Sequence, residues 1–184
     1  MTFSVSAQSE ANRPVARLIT GTPYAPRLIT VAANHARPSE RATSIPSIAS
    51  VTTTGDEQRT FEMINAERRA AGLEPLVLDT ELCRMARVHS ERMVAEAFFA
   101  HAGQDGLEAP ERARALGITG WRALAENIAY NQGYEDSARF AVERWMQSVK
   151  HRENVTNRIF THTGLGIARA ADGRVFFTQV FMMR

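Results

Sequence analysis

The chain has 184 residues, 44% of them hydrophobic, which suits one domain with a core plus a tail. No apolar run reaches the roughly 18 residues that cross a bilayer, so no integral membrane segment is expected. The formal charge of +2 is uneven: residues 1–53 hold five Arg and two Glu, whereas residues 54–184 hold seventeen basic and eighteen acidic groups. With no basic stripe interleaved with aromatics on the folded part, nucleic acid is excluded as a partner class.

Residues 1–53 read as a flexible leader or linker. Pro14, Pro23, Pro26, Pro38 and Pro46 sit among Ser, Thr and Ala, and Arg-Leu-Ile-Thr occurs at Arg17 and again at Arg27. The best core for an export signal, Leu28 to Ala33, is six residues long and lacks a clean small-residue cleavage site, so no convincing signal peptide is read. The domain is expected over 54–184.

Thr54-Gly55-Asp56-Glu57 has capping-box spacing, and Phe61, Ile64, Asn65 and Arg68 follow at helical intervals up to Gly72. Pro75 forces an extended connector, and Asp79 then caps a long second helix. That helix carries an apolar stripe of Leu82, Met85, Ala86 and Met93, with His89 on it as a core histidine. Cys83, the single cysteine, lies beside the stripe as a buried packing group and leaves no disulfide framework or Cys-rich zinc site.

A glycine-punctuated loop carries His101, and a short helix spans Pro110 to about Leu116. A strand covers Leu124 to Tyr130, and a helix from Asp136 to Gln147 turns Phe140, Ala141 and Trp145 inward. His151 falls just past that helix end, and His162 reads as a loop residue. The C-terminus reads as a hairpin, Gly164 to Ala170 and Val175 to Phe181, turning at Asp172-Gly173. Helices first and a hairpin last indicate an α+β sandwich.

Phosphate loops, His-Glu-x-x-His and Gly-x-Ser-x-Gly elbows are missing. What stands out is Glu126, a carboxylate inside the apolar strand Ala125-Glu126-Asn127-Ile128-Ala129. A buried carboxylate requires a partner, and a histidine is a natural one. Two histidines and a carboxylate can hold Zn²⁺ with an open position or act as an acid/base pair.

Several segments together resemble the bacterial CAP domain (cysteine-rich secretory protein, antigen 5, pathogenesis-related-one; SCP). They are Phe61 to Arg68, Leu73-x-Pro75-Leu76-Val77-x-Asp79-x-x-Leu82-x-x-Met85-Ala86, His89-Ser90-x-x-Met93 and Phe99-x-His101. The series continues through Ala125 to Ala129, Trp145-Met146-x-Ser148-x-x-His151-Arg152-x-Asn154, Gly164-x-Gly166 and Thr178-Gln179-x-Phe181. The resemblance implies a three-layer α-β-α sandwich with a cleft lined, in its fullest form, by two histidines and two glutamates, whose histidines can bind a divalent metal such as zinc.

His101 and Glu126 match half of that set. Ser148 stands where the second glutamate falls, Phe176 where the second histidine falls, and Ala125 where glycine is usual. His151 belongs to a Ser-x-x-His-Arg-x-Asn run typical of bacterial members. The expected ligand cleft is therefore His101, Glu126, Ser148 and His151, with any metal at His101 and His151. The resemblance implies a secreted or cell-envelope domain, and these departures favour a non-catalytic one that binds a small ligand, lipid or peptide. The alternatives are a zinc-assisted hydrolase with Glu126 as general base and a protein-interaction module with a vestigial cleft.

Overall fold

The computed structural model describes residues 15–18, as strand backbone, and residues 54–184. The proposed signal core, Leu28 to Ala33, lies outside the described residues. Within the stretch read as a leader, Val15–Leu18 forms strand β1, which the proline-rich composition around it did not announce.

Helix α1 (Gly55–Ala70) starts at the expected capping box: the Thr54 hydroxyl accepts from the Glu57 N–H, and the Glu57 carboxylate accepts from the Thr54 N–H at 2.8 Å. It stops where Gly72 takes φ +69°, a left-handed conformation that glycine adopts freely. The connector leads through β2 (Val77–Leu78) into α2 (Thr80–Ala95), where Asp79 caps the N–H groups of Glu81 and Leu82, both at 3.0 Å. There follow α3 (Ala109–Ala115), β3 (Ala123–Gln132), α4 (Ser137–Gln147), α5 (Val149–Val155), β4 (His162–Arg169) and β5 (Arg174–Met183).

The strands form one sheet in the order β1-β3-β5-β4-β2; β2 runs parallel to β4 and the remaining pairs are antiparallel. Strand alternation divides the side chains between two helical layers. On one face Ala125, Ala129, Phe177 and Phe181 pack against Ile64 of α1, Ala141 and Trp145 of α4 and Val155 of α5. On the other, Leu124, Val180 and Met182 meet Leu82, Met85 and Ala86 of α2 and Ala109 and Ala113 of α3. The architecture is the expected α-β-α sandwich. Full burial of each large apolar side chain contributes about 1.5–3 kcal/mol, so both layers are needed to stabilise the sheet.

Two details fix the layers. Gly164 and Gly166 let α2 lie directly on β4: a Cβ at Gly164 would stand 2.2 Å from the Leu82 carbonyl carbon, and one at Gly166 2.1 Å from the Arg87 nitrogen. On the opposite face the buried Arg68 guanidinium donates to the carbonyls of Glu74, Val155, Asn157 and Phe160, tying α1 to the α5–β4 connection.

Three local expectations are corrected. Phe140 does not enter the core; it stacks on Tyr134 with ring centroids 3.6 Å apart, because Ala138, Ala141, Val142 and Trp145 already fill the buried face of α4. His151 is not past a helix end but inside α5, since Ser148 takes extended backbone angles (φ −87°, ψ 121°) and restarts the helix at once. His162 begins β4 rather than lying in a loop; the parallel pairing of Val77 with His162 extends the sheet by one residue pair.

Candidate functional site

Glu126 projects from β3 on the same face as Leu124 and Ile128, toward α2 and α3. Its side chain is 4% exposed and both carboxylate oxygens are engaged. Oε1 accepts from His101 Nδ1 at 2.9 Å, and Oε2 accepts from the Arg112 guanidinium of α3. His89 of α2 stands behind them, its Nε2 4.0 Å from Glu126 Oε1 and 3.0 Å from the Ala100 carbonyl.

The expected histidine partner of Glu126 is thus His101. Arg112 was missed, because in Pro110-Glu111-Arg112-Ala113-Arg114 it reads as one of several surface charges on a short helix. Its helical phase was the available signal: Arg112 and Ala113 are buried whereas Arg114 is exposed. His89 is the core histidine that was expected, bonded to backbone, but it also borders the site.

Burial alone would raise the Glu126 pKa; the Arg112 guanidinium, the His101 hydrogen bond and His89 outweigh it and hold the carboxyl below its ordinary value. For His89 burial is the largest cause and pushes the imidazole down to about 4, against the opposing pull of Glu126. His89 is therefore neutral at pH 7, donating from Nε2 to the Ala100 carbonyl. In the same way the ionised Glu126 assigns the donor role to His101 Nδ1, which in the neutral ring leaves Nε2 as the lone-pair nitrogen. Among the described residues, His101 Nε2, His89 Nδ1 and Arg112 Nε are buried without a hydrogen-bond partner.

An aromatic group continues along the same face. Phe176, opposite Tyr130 in the β3–β5 ladder, packs on Tyr130 and Phe99 with centroids 5.2 and 6.3 Å apart, and Phe99 meets Tyr130 edge-on at 5.0 Å. Phe98 lies 5.9 Å from the His89 ring. Phe98, Phe99 and Tyr130 are half-buried around the buried Phe176, so this region presents apolar surface to solvent.

Ser148 and His151 make a second pair, with His151 Nδ1 2.8 Å from the Ser148 hydroxyl. Asn127 side-chain N–H donates to the His151 carbonyl at 3.1 Å, and Asn154 donates to Asn127 Oδ1 at 2.9 Å. Asn127 turns to the α4–α5 face while Glu126 turns to the α2–α3 face, so adjacent residues of one strand hold the two pairs. Glu143 and Glu153 are exposed and do not take the place of the acid at position 148.

A bound metal would use His101 Nε2, and an imidazole backed by a carboxylate is the usual form of a metal-bound histidine. A catalytic zinc takes three protein ligands, however, and the described residues contain no group of three or more His, Cys, Asp or Glu placed to hold an ion. His151, the other expected ligand, has its Nδ1 turned to Ser148. The donor set does not fit catalytic zinc.

The comparisons with known proteins bear on the family and the fold. The chain is 32% identical over 147 residues to the uncharacterized protein YkwD of Bacillus subtilis (strain 168), covering 80% of this chain and 53% of the relative, so it spans about half that protein's length. An extracellular SCP-domain protein of Bacillus anthracis superposes with TM-score 0.62 at 28% identity, over 71% of this chain and 41% of that one. An outer surface protein of Borrelia burgdorferi shares the fold at TM-score 0.64 and 20% identity, over 73% of this chain and 96% of that one. The CAP model, described as the cysteine-rich secretory protein family, matches residues 61–181, which run from within α1 to Phe181 of β5 and contain every candidate site residue: the chain belongs to the CAP family.

Proposed function

We propose that this chain is a non-catalytic CAP domain that binds a small amphipathic ligand, a lipid being the best fit, on the face where His101 adjoins the aromatic group. The observation that carries this reading is the engagement of Glu126: Oε1 accepts from His101 and Oε2 from Arg112, and both partners lower the basicity that a general base needs. Phe176, in place of the family's second histidine, is a buried apolar ring under Phe99 and Tyr130 where a metal ligand would stand. His101 Nε2 is an unpartnered acceptor buried beneath this face, and together with the half-buried Phe98, Phe99 and Tyr130 it suits an apolar body with one polar end that inserts to reach it. Among the described residues no helix is long and apolar enough to cross a membrane, and the extracellular and outer-surface relatives support action outside the cell.

The test is titration of a fluorescent fatty acid into the full chain, beside His101→Ala and Phe99→Ala. Saturable binding weakened about tenfold or more by each substitution supports the reading. Binding that neither change affects rejects it. A panel of esters and peptides, with zinc measured in the same preparation, covers the hydrolase alternative: turnover that falls in His101→Ala would replace the binding reading.

A further inference from the structure

We propose that Arg112 is a positioning residue that determines which ring nitrogen of His101 carries the proton, and so whether Nε2 is an acceptor or a donor. The inference rests on the reading of the His101 face as the binding site. One buried guanidinium, 6% exposed, makes all the contacts involved. Through Nη2 it holds Glu126 Oε2, which leaves Oε1 as the acceptor for His101 Nδ1–H. Through Nη1 it donates to the His101 carbonyl at 2.7 Å and the Leu107 carbonyl at 3.1 Å.

Arg112 therefore fixes the histidine twice, at its backbone and, through the carboxylate, at its ring. The planar fork of arginine is needed for this, since an ammonium is a single point of charge and cannot span both directions with the same geometry. The loop has little else of its own: between His101 and Leu107 the bonds are those of Gly103 N–H to the Leu107 carbonyl, Gly106 N–H to the Gly103 carbonyl, and Asp105 to Leu107 N–H and Arg92. None of these reaches the imidazole. Without Arg112 nothing fixes the carboxylate rotamer or the His101 carbonyl, so Oε1 is no longer held on Nδ1 and the ring shifts toward the Nε2–H form that histidine favours in water. Nε2 would then be a donor where it is now a lone pair.

The experiment uses the full chain, ¹⁵N-labelled at histidine, without ligand and at one fixed pH near 7.5. Long-range ¹H–¹⁵N spectra report the tautomer of each ring, and His101→Gln identifies the His101 signals. In the wild type His101 carries its proton on Nδ1. In Arg112→Gln the Nε2–H form becomes the major species while the His89 and His162 rings are unchanged. In Arg112→Lys it rises to about a tenth or more, so the lysine variant decides the matter if the glutamine variant does not fold. A His101 ring that stays fully Nδ1–H in every folded Arg112 variant overturns the proposal. Because no ligand is present, failure of lipid binding would reject the binding reading and leave this result standing.

Discussion

Lowering the pH should destabilise this domain through His89 before its carboxylates protonate. His89 is fully buried, and its pKa falls from 6.5 in the unfolded chain to about 4 in the fold. Its folded pKa is depressed, so the neutral ring contributes stability that is complete above pH 6.5 and lost as pH falls toward 4. A shift of about 2.5 units corresponds to about 3 kcal/mol, of which about 2 kcal/mol is already gone at pH 5. That is a large share of the 5–15 kcal/mol typical of a domain. Glu126 and Glu57, whose pKa values are also lowered, add their losses only below the ordinary carboxylate range, so pH 5 isolates the histidine. Urea unfolding of the wild type and His89→Gln between pH 7.5 and 5 measures the effect. Glutamine keeps a donor for the Ala100 carbonyl but does not titrate, so the two stability curves should converge by about 2 kcal/mol. Parallel curves would refute the reasoning.

Three further outcomes follow from packing. Gly166→Ala should cost about 3 kcal/mol or more in urea unfolding, because the new Cβ meets helix backbone that cannot move aside, whereas Gly55→Ala, with nothing within 4 Å, should be neutral or slightly stabilising. Arg68→Met should lower stability by about 3 kcal/mol or more by leaving four carbonyls short of a donor, measured by the same unfolding curves. Cys83 should resist a thiol reagent in the native chain and react fully in denaturant, since it is 1% exposed and burial raises its pKa.

Features set by neighbours in sequence were legible before the structure. Thr54 with Glu57, Asp79 and Asp136 announce helix starts because capping is a matter of three or four residues. Glu126 was legible because a charge inside an apolar strand has to be paired, and the family pattern singled out His101. Arg112 was not, since its partners are 11 and 14 residues away and only the packing of α3 on β3 brings them together. The break at Ser148 was missed for the opposite reason: the sequence there has no proline or glycine, and the turn between α4 and α5 comes from one extended residue. Strand β1 escaped notice because four residues beside Pro14 carry too little pattern, and their structure depends on the edge of β3 at Ala129–Gln132.

The two glycines of β4 act on the site from a distance. Where a helix rests on side chains, its height above a sheet drifts as those side chains change over evolution. Here Gly164 and Gly166 set α2 on the strand backbone itself, like a beam bolted to its seat without washers. Leu82, Met85 and Met93 can then be exchanged among apolar residues while the helix keeps its level. His89, two turns along the same helix from Leu82, keeps its place behind Glu126 through such changes.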